Sequence, residues 1–361
     1  MRPMQLADRL DRLRARFAGA GVDVLVVTNL VNVRYLTGFT GSAGVLAVGP
    51  SDALLTTDGR YRTQSEEQLA AAGASADIFV GDLRAQRDAL KAFVSGAGRV
   101  GFEADHVSWA DSRSWVELLG EIVPASGLVE ALREVKDPGE IDRIARAAAV
   151  ADAALGSVLA MLDTGVSEAE LALALDSAMR RHGAESSAFE TIVASGPNSA
   201  KPHHRPTGRT IGPGELVVVD FGATVEGYRS DMTRTFCVGG EPSGELARVV
   251  EVVRESQARG TAAVAPGAEC REVDRVCREV VAAAGWAERF EHGTGHGVGL
   301  DIHEAPALGP LGTATLATGM VVTVEPGVYL PGLGGARIED TLVVTETGSR
   351  ALSAFGKSVA P

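Results

Sequence analysis

Four carboxylates in two hairpin-like segments are the residues of this sequence best spaced to do chemistry. In ELVVVDFGATVEGYRSDMTRTFCV (215–238), two β-rich runs flank a polar Val225-Glu226-Gly227 turn, a hairpin signature. A turn centred between Val225 and Glu226 places Asp220 directly opposite Asp231, with Cβ atoms about 5 Å apart. Like charges facing each other inside an apolar hairpin are destabilising, and a divalent cation is the economical compensation. MVVTVEPGVYL (320–330) and ARIEDTLVV (336–344) repeat the arrangement around a Pro/Gly-rich turn. Centred on Gly332, that hairpin pairs Glu325 with Glu339, and Pro326 is the position where a bulge would shift the register.

An imidazole is available from HGTGHGVGLDIHEAP (292–306), which carries His292, His296 and His303 among glycines that let the backbone approach a ligand. Two divalent ions would neutralise the four carboxylates, and hard oxygen ligands with one imidazole suit Mn²⁺, Co²⁺ or Zn²⁺. A further pair, His203-His204, lies in the polar loop SGPNSAKPHHRPTG ahead of the first hairpin. Competing chemistries lack their signatures. The glycines around His296 fall at every second residue outside a strand–turn–helix context, so they form no dinucleotide fingerprint. HExxH is absent after His303-Glu304, and GxSxG is absent around Ser195, which sits in VASGP.

The elements that must position these groups follow from periodicity. Asp137-Pro138 predicts a helix start with Glu140 in its first turn, and a second helix runs from Ser167 to about His182. Two more helices, around 244–261 and 269–284, are interleaved with hairpin-like strands. Helices grouped with antiparallel hairpins predict an α+β catalytic domain over 133–361. Residues 1–132 alternate helical and strand-like stretches, with Leu6, Leu10, Leu13 and Phe17 at helical spacing and VDVLVVT (22–28) as a buried strand. They read as an α/β domain with a regulatory or shape-setting role, since no catalytic cluster lies there.

Bulk properties narrow the partners. The 361 residues fit two domains, and 45% hydrophobic with 22% charged residues is an ordinary globular mixture. A net charge of −13 repels nucleic acid and anionic membrane. Three cysteines, Cys237, Cys270 and Cys277, are too few and odd in number for a disulfide framework, which fits a reducing cytosol. The N-terminus shows no Sec-type apolar region, and no uninterrupted apolar run approaches the roughly 20 residues of a membrane helix. A cytoplasmic location is expected.

Together these residues resemble the pita-bread metallopeptidases: aminopeptidase P, prolidase and, more distantly, methionine aminopeptidase. VVVDFGA, YRSDMTRTF, HGTGHGVGLDIHE, TVEPGVY and ARIEDT carry the resemblance, and NVRYLTGFTGSAG (32–44) looks like the N-terminal domain of the creatinase, prolidase and aminopeptidase P group. The resemblance implies two metal ions held by Asp220, Asp231, His296, Glu325 and Glu339, with Asp231 and Glu339 bridging. It implies hydrolysis of the Xaa-Pro bond at peptide N-termini through a metal-bridging hydroxide, with Glu325 as ligand and proton shuttle. His203, rather than His204, matches the histidine that steadies the scissile carbonyl. His303 matches one that contacts the substrate at the scissile bond, and His292 a further active-site histidine. Arg337, grouped with the substrate-binding residues, and Thr233 match positions that orient the carboxylates. Manganese is the expected metal, with cobalt or zinc as alternatives, and a homodimer the expected assembly.

One departure bears on substrate length. Many prolidases carry Arg four residues after the His303 equivalent, where it clamps a dipeptide's carboxylate, and here that position is Ala307. Its loss leans toward aminopeptidase P-like use of longer peptides, with a strict Xaa-Pro dipeptidase as the alternative. A creatinase-like, metal-free amidinohydrolase and a non-catalytic binding module share the fold. Both are disfavoured, because all five ligand positions stay metal-competent.

Overall fold

A computed structural model describes residues 1–360. The chain divides into two compact units, Met4–Arg133 and Glu134–Pro361 with Met1–Pro3. The changeover lies at Arg133/Glu134, against an expected boundary of 132/133. The first three residues go with the larger unit because Arg2 holds Asp142 through its guanidinium (2.6 Å) and its amide (2.7 Å).

The smaller unit is built on a six-stranded sheet in the order Asp77–Val80, Ala53–Thr57, Val45–Val48, Val24–Val27, Val100–Glu103, Val123–Ala125. Two antiparallel pairings in the middle and parallel ones outside make it mixed. Its interior strand is the run read at 22–28, and all four of its residues are buried, as a strand covered on both faces requires. Leu10, Leu13 and Phe17 are buried too, on two short helices, Arg9–Arg14 and Phe17–Ala20, rather than one.

The larger unit uses one plan twice. Helices Pro138–Val158 and Glu168–Arg181 share an apolar core with strands Ile192–Ser195, Leu216–Phe221 and Met232–Cys237. Helices Gly244–Ala263 and Cys270–Ala283 share a second core with strands that include Val321–Val324 and Asp340–Val344. The first two helices begin at capping boxes, Asp137 with Glu140 and Ser167 with Glu170, which satisfy the free amides of the first turn. The span Pro138–Thr164 is long and apolar enough by composition to cross a membrane. Its Ala147, Val150, Ala154, Leu155 and Val158 are instead buried in the first core.

The two hairpins differ in register. In the first, Asp220 pairs with Thr233 and Phe221 with Met232, and further out Val225 pairs with Tyr228. The turn is Glu226-Gly227, with φ of 45° and 76°, the left-handed pair that a two-residue hairpin turn demands. The expected direct opposition of Asp220 and Asp231 is therefore corrected. Buried Val225 ends a strand instead of opening the turn, and Asp231 lies diagonal to Asp220, two residues before its partner. In the second hairpin Val324 pairs with Asp340, Gly327 with Arg337 and Leu330 with Gly334. Both ladder segments stay centred on Gly332, so Glu325 and Glu339 face each other in the gap between them. Pro326 introduces no shift.

Candidate active site

The two hairpins and the histidine-rich loop meet at a cleft of about 470 Å³ in the larger unit. Asp220, Asp231, His296, Glu325 and Glu339 line it, and so do His203, His204, His292, His303 and Arg337. His296 sits on the short strand Gly295–Gly297. A Cβ on Gly295 would fall 2.0 Å from the Thr323 carbonyl oxygen, so only glycine brings this strand so close to its neighbour.

The His296 tautomer is set by its surroundings. Nδ1 donates to the Gly297 carbonyl at 3.0 Å, and burial pushes the ring down to about 4, so Nε2 presents a bare lone pair. That lone pair faces Asp231 Oδ2 at 3.5 Å and Glu325 Oε1 at 3.4 Å. One atom each of Asp231, His296 and Glu339 lie within 4.8 Å of one another. Burial, then repulsion from Glu339, Asp220 and Glu325, lifts the Asp231 carboxyl well above the usual range. Burial, then Glu325 and Asp220, does the same to Glu339, and burial pushes Glu325 up to about 8. Asp220 Oδ1 and Glu339 Oε1 are buried without a hydrogen-bond partner among the described residues. Crowded acceptors, hard oxygens and one neutral imidazole fit a site for divalent cations.

Arg337 is the cation that the protein itself supplies. Its Nη2 donates to Asp220 Oδ2 (2.6 Å), Nε to the Thr233 hydroxyl (3.1 Å), and Nη1 to Tyr329 Oη (2.8 Å) and the Pro202 carbonyl (3.3 Å). Burial works against its charge, but Tyr329, Asp220 and Glu325 hold it firmly protonated. A relay continues from there. His292 Nδ1 donates to the Gly293 carbonyl at 2.8 Å, so its Nε2 accepts from the Tyr329 hydroxyl at 2.8 Å. Burial takes His292 down to about 4 and Tyr329 up to about 12, which keeps both neutral.

The remaining histidines divide by environment. His203 is exposed at the cleft, whereas His204 is buried with Nε2 2.9 Å from Glu168 Oε2. His303 is exposed, with its ring 4.4 Å from that of His296. Three residues that the spacing did not single out prove to hold the site. Tyr329 lies at the end of the TVEPGVY segment, where a strand tyrosine reads as core. Asp274 accepts from the amide (3.2 Å) and hydroxyl (2.9 Å) of Thr294, and the Thr294 carbonyl in turn accepts the Glu325 amide at 2.8 Å. Glu168 opens a helix, where an acid reads as a solvated dipole partner.

Comparison with known proteins identifies the family and the fold. Residues 142–346 match the model of metallopeptidase family M24, and residues 9–135 match the creatinase/prolidase N-terminal domain. An uncharacterized peptidase of Bacillus subtilis is 41% identical over 348 residues, covering 96% of this chain and 97% of its own. The structure of an Xaa-Pro dipeptidase from Bacillus anthracis superposes with a TM-score of 0.93 at 40% identity, covering 98% of this chain and 99% of that one. An X-Pro aminopeptidase from Thermotoga maritima superposes at 0.87 with 33% identity and the same coverage. An N-terminal creatinase/prolidase-like α/β domain followed by a pita-bread catalytic domain, with a cleft built for divalent metal, places this chain in metallopeptidase family M24.

Proposed function

We propose that the chain cleaves the Xaa-Pro bond at the N-terminus of peptides, with Asp220, Asp231, His296, Glu325 and Glu339 holding two divalent ions. The reading is carried by the His296 lone pair set against carboxylate oxygens at 3.4 and 3.5 Å, an arrangement of acceptors that divalent cations would stabilise. Xaa-Pro specificity is supported by the relatives from B. anthracis and T. maritima, an Xaa-Pro dipeptidase and an X-Pro aminopeptidase.

When bound, the ions lower the pKa of a water and polarise the scissile carbonyl. Glu325 accepts the proton of the attacking water and passes it to the proline nitrogen, which as a tertiary amide has none of its own. His203 donates to the carbonyl oxygen as negative charge develops there. His303 contacts the substrate beside the scissile bond, and His292 completes the wall at the end of its relay. Arg337, grouped with the substrate-binding residues, orients Asp220 and Tyr329 with four of its five N–H donors committed to protein acceptors.

Ala307 offers no cation for a dipeptide's carboxylate, which favours longer peptides. The strict dipeptidase reading is favoured by the B. anthracis relative at 40% identity. We assign manganese as the resident metal from the oxygen-rich donor set, with cobalt and zinc as alternatives. A homodimer and a cytoplasmic location complete the reading, the latter supported by three free, buried cysteines. The test compares an Xaa-Pro dipeptide with an Xaa-Pro-Yaa tripeptide under Mn²⁺, Co²⁺ and Zn²⁺. Metal-dependent tripeptide cleavage is expected. Exclusive dipeptide cleavage overturns the use of Ala307, and failure to bind any divalent metal overturns the dinuclear centre.

A further inference from the structure

The arm from Ser195 to Thr207 brings His203 to the cleft, and one buried carboxylate gathers it from both ends. Glu168 Oε1 accepts from the Ser195 amide (2.9 Å) and hydroxyl (2.8 Å) and from Asn198 Nδ2 (3.0 Å). Its Oε2 accepts from His204 Nε2 (2.9 Å) and from the Thr207 amide (3.1 Å) and hydroxyl (2.7 Å). Glu168 is fully buried, at 0% exposure. The His203 ring has no hydrogen bond of its own among the described residues, so its backbone sets its place. His204, its neighbour in the chain, points inward to the carboxylate while His203 stays exposed.

We propose that Glu168 and His204 are positioning residues for the reaction, a buried clasp that holds the arm so that His203 reaches the scissile carbonyl. The inference rests on the role assigned to His203 above. A carboxylate is needed because every group around it donates, and an amide in its place turns two N–H groups toward other donors. Misplacement of a reacting group by about 1 Å costs on the order of 100-fold in rate, so loosening the arm is expected to be felt in turnover.

The test uses the metal-loaded enzyme and a peptide with an N-terminal Xaa-Pro bond. Glu168→Gln is expected to lower kcat by about 10- to 100-fold while leaving KM and bound metal within about twofold. In a His203→Ala background the same change is expected to add almost nothing, because the two act through one group. Amide exchange at Ser195 and Thr207 is expected to quicken in Glu168→Gln. His204→Gln, which keeps a donor near Nε2, is expected to retain turnover that His204→Leu loses, and this pair decides the matter should Glu168→Gln fail to fold. A Glu168→Gln loss undiminished in the His203→Ala background overturns the clasp, as does wild-type turnover in Glu168→Gln or His204→Leu. A harmless His203→Ala is a different result, which removes the role of His203 and the clasp with it.

Discussion

Asp220 in the first hairpin accepts from Arg337, a guanidinium delivered by the second hairpin, at 2.6 Å. Among the described residues, Glu339 in the second hairpin accepts only the Thr233 hydroxyl of the first, at 2.7 Å. Donors are thus exchanged crosswise, and the exchange is tightened by the backbone: the Glu339 amide donates to the Thr233 carbonyl and the Thr341 hydroxyl to the Asp231 carbonyl. The two hairpins share an outline, yet among the described residues the protein gives one aspartate a hydrogen-bonded guanidinium and leaves the glutamate pair none. Glu325 and Glu339 face each other in one register position, whereas Asp220 and Asp231 are offset. The uncompensated acceptors are therefore concentrated where Asp231, His296 and the glutamates meet, while Asp220 is oriented by Arg337.

The largest effect should come from the glutamate side. Glu325→Gln removes the proton acceptor with little change of shape, and a fall in kcat of about 10²- to 10⁴-fold is expected, the range in which a placed acid–base group contributes. Steady-state kinetics on the metal-loaded variant checks it, and retained turnover would move the shuttle elsewhere. The next effect is one of sign, read in the chelator-treated protein. Asp220→Asn leaves Arg337 buried without its carboxylate, which should destabilise by about 3–5 kcal/mol in denaturant unfolding. Glu339→Gln relieves repulsion from Glu325 and Asp220 and should stabilise the same metal-free protein. Equal signs for the two changes would break the distinction between a compensated and an uncompensated hairpin.

The same two hairpins show what was legible in the sequence. The Glu325–Glu339 register followed from the Gly332-centred loop, and Pro326 fell in the gap where no ladder hydrogen bond is asked of it. Counting Val225 with the turn sets its centre one residue early, which shifts the partner of Asp220 by two, from Thr233 to Asp231. The left-handed Glu226-Gly227 pair was the informative signal, since a tight turn needs positive φ at both central positions. Diagonal neighbours, about 7–8 Å apart, still share one face of the hairpin, so the offset leaves Asp220 and Asp231 lining the same cleft. Tyr329, Asp274 and Glu168 carry no sequence signal, for a different reason. Each acts through partners at least eight and up to 39 residues away along the chain, and no local period announces such contacts. The helix starts at Asp137 and Ser167 were legible because caps are local chemistry.

The smallest effect tests the crosswise exchange itself. Thr233 sits at the centre of it: its hydroxyl donates to Glu339 Oε2 at 2.7 Å and accepts from Arg337 Nε at 3.1 Å, while its backbone pairs with Asp220. Thr233→Val keeps the β-branched shape and the ladder and deletes only the hydroxyl. Glu339 then has neither of its oxygens satisfied by the protein, since Oε1 already lacks a partner. A stability loss of about 1–3 kcal/mol is expected in the metal-free protein, the usual consequence of leaving a buried acceptor unmade. Metal affinity should fall by about 10- to 100-fold, as it does when groups that orient a ligand are removed, with kcat at saturating metal much less affected. Thr233→Ser restores the hydroxyl and should recover most of both losses. Should Thr233→Val bind metal as tightly as the parent, Glu339 would be oriented by its strand alone, and the hairpins would be joined through Arg337 in one direction only.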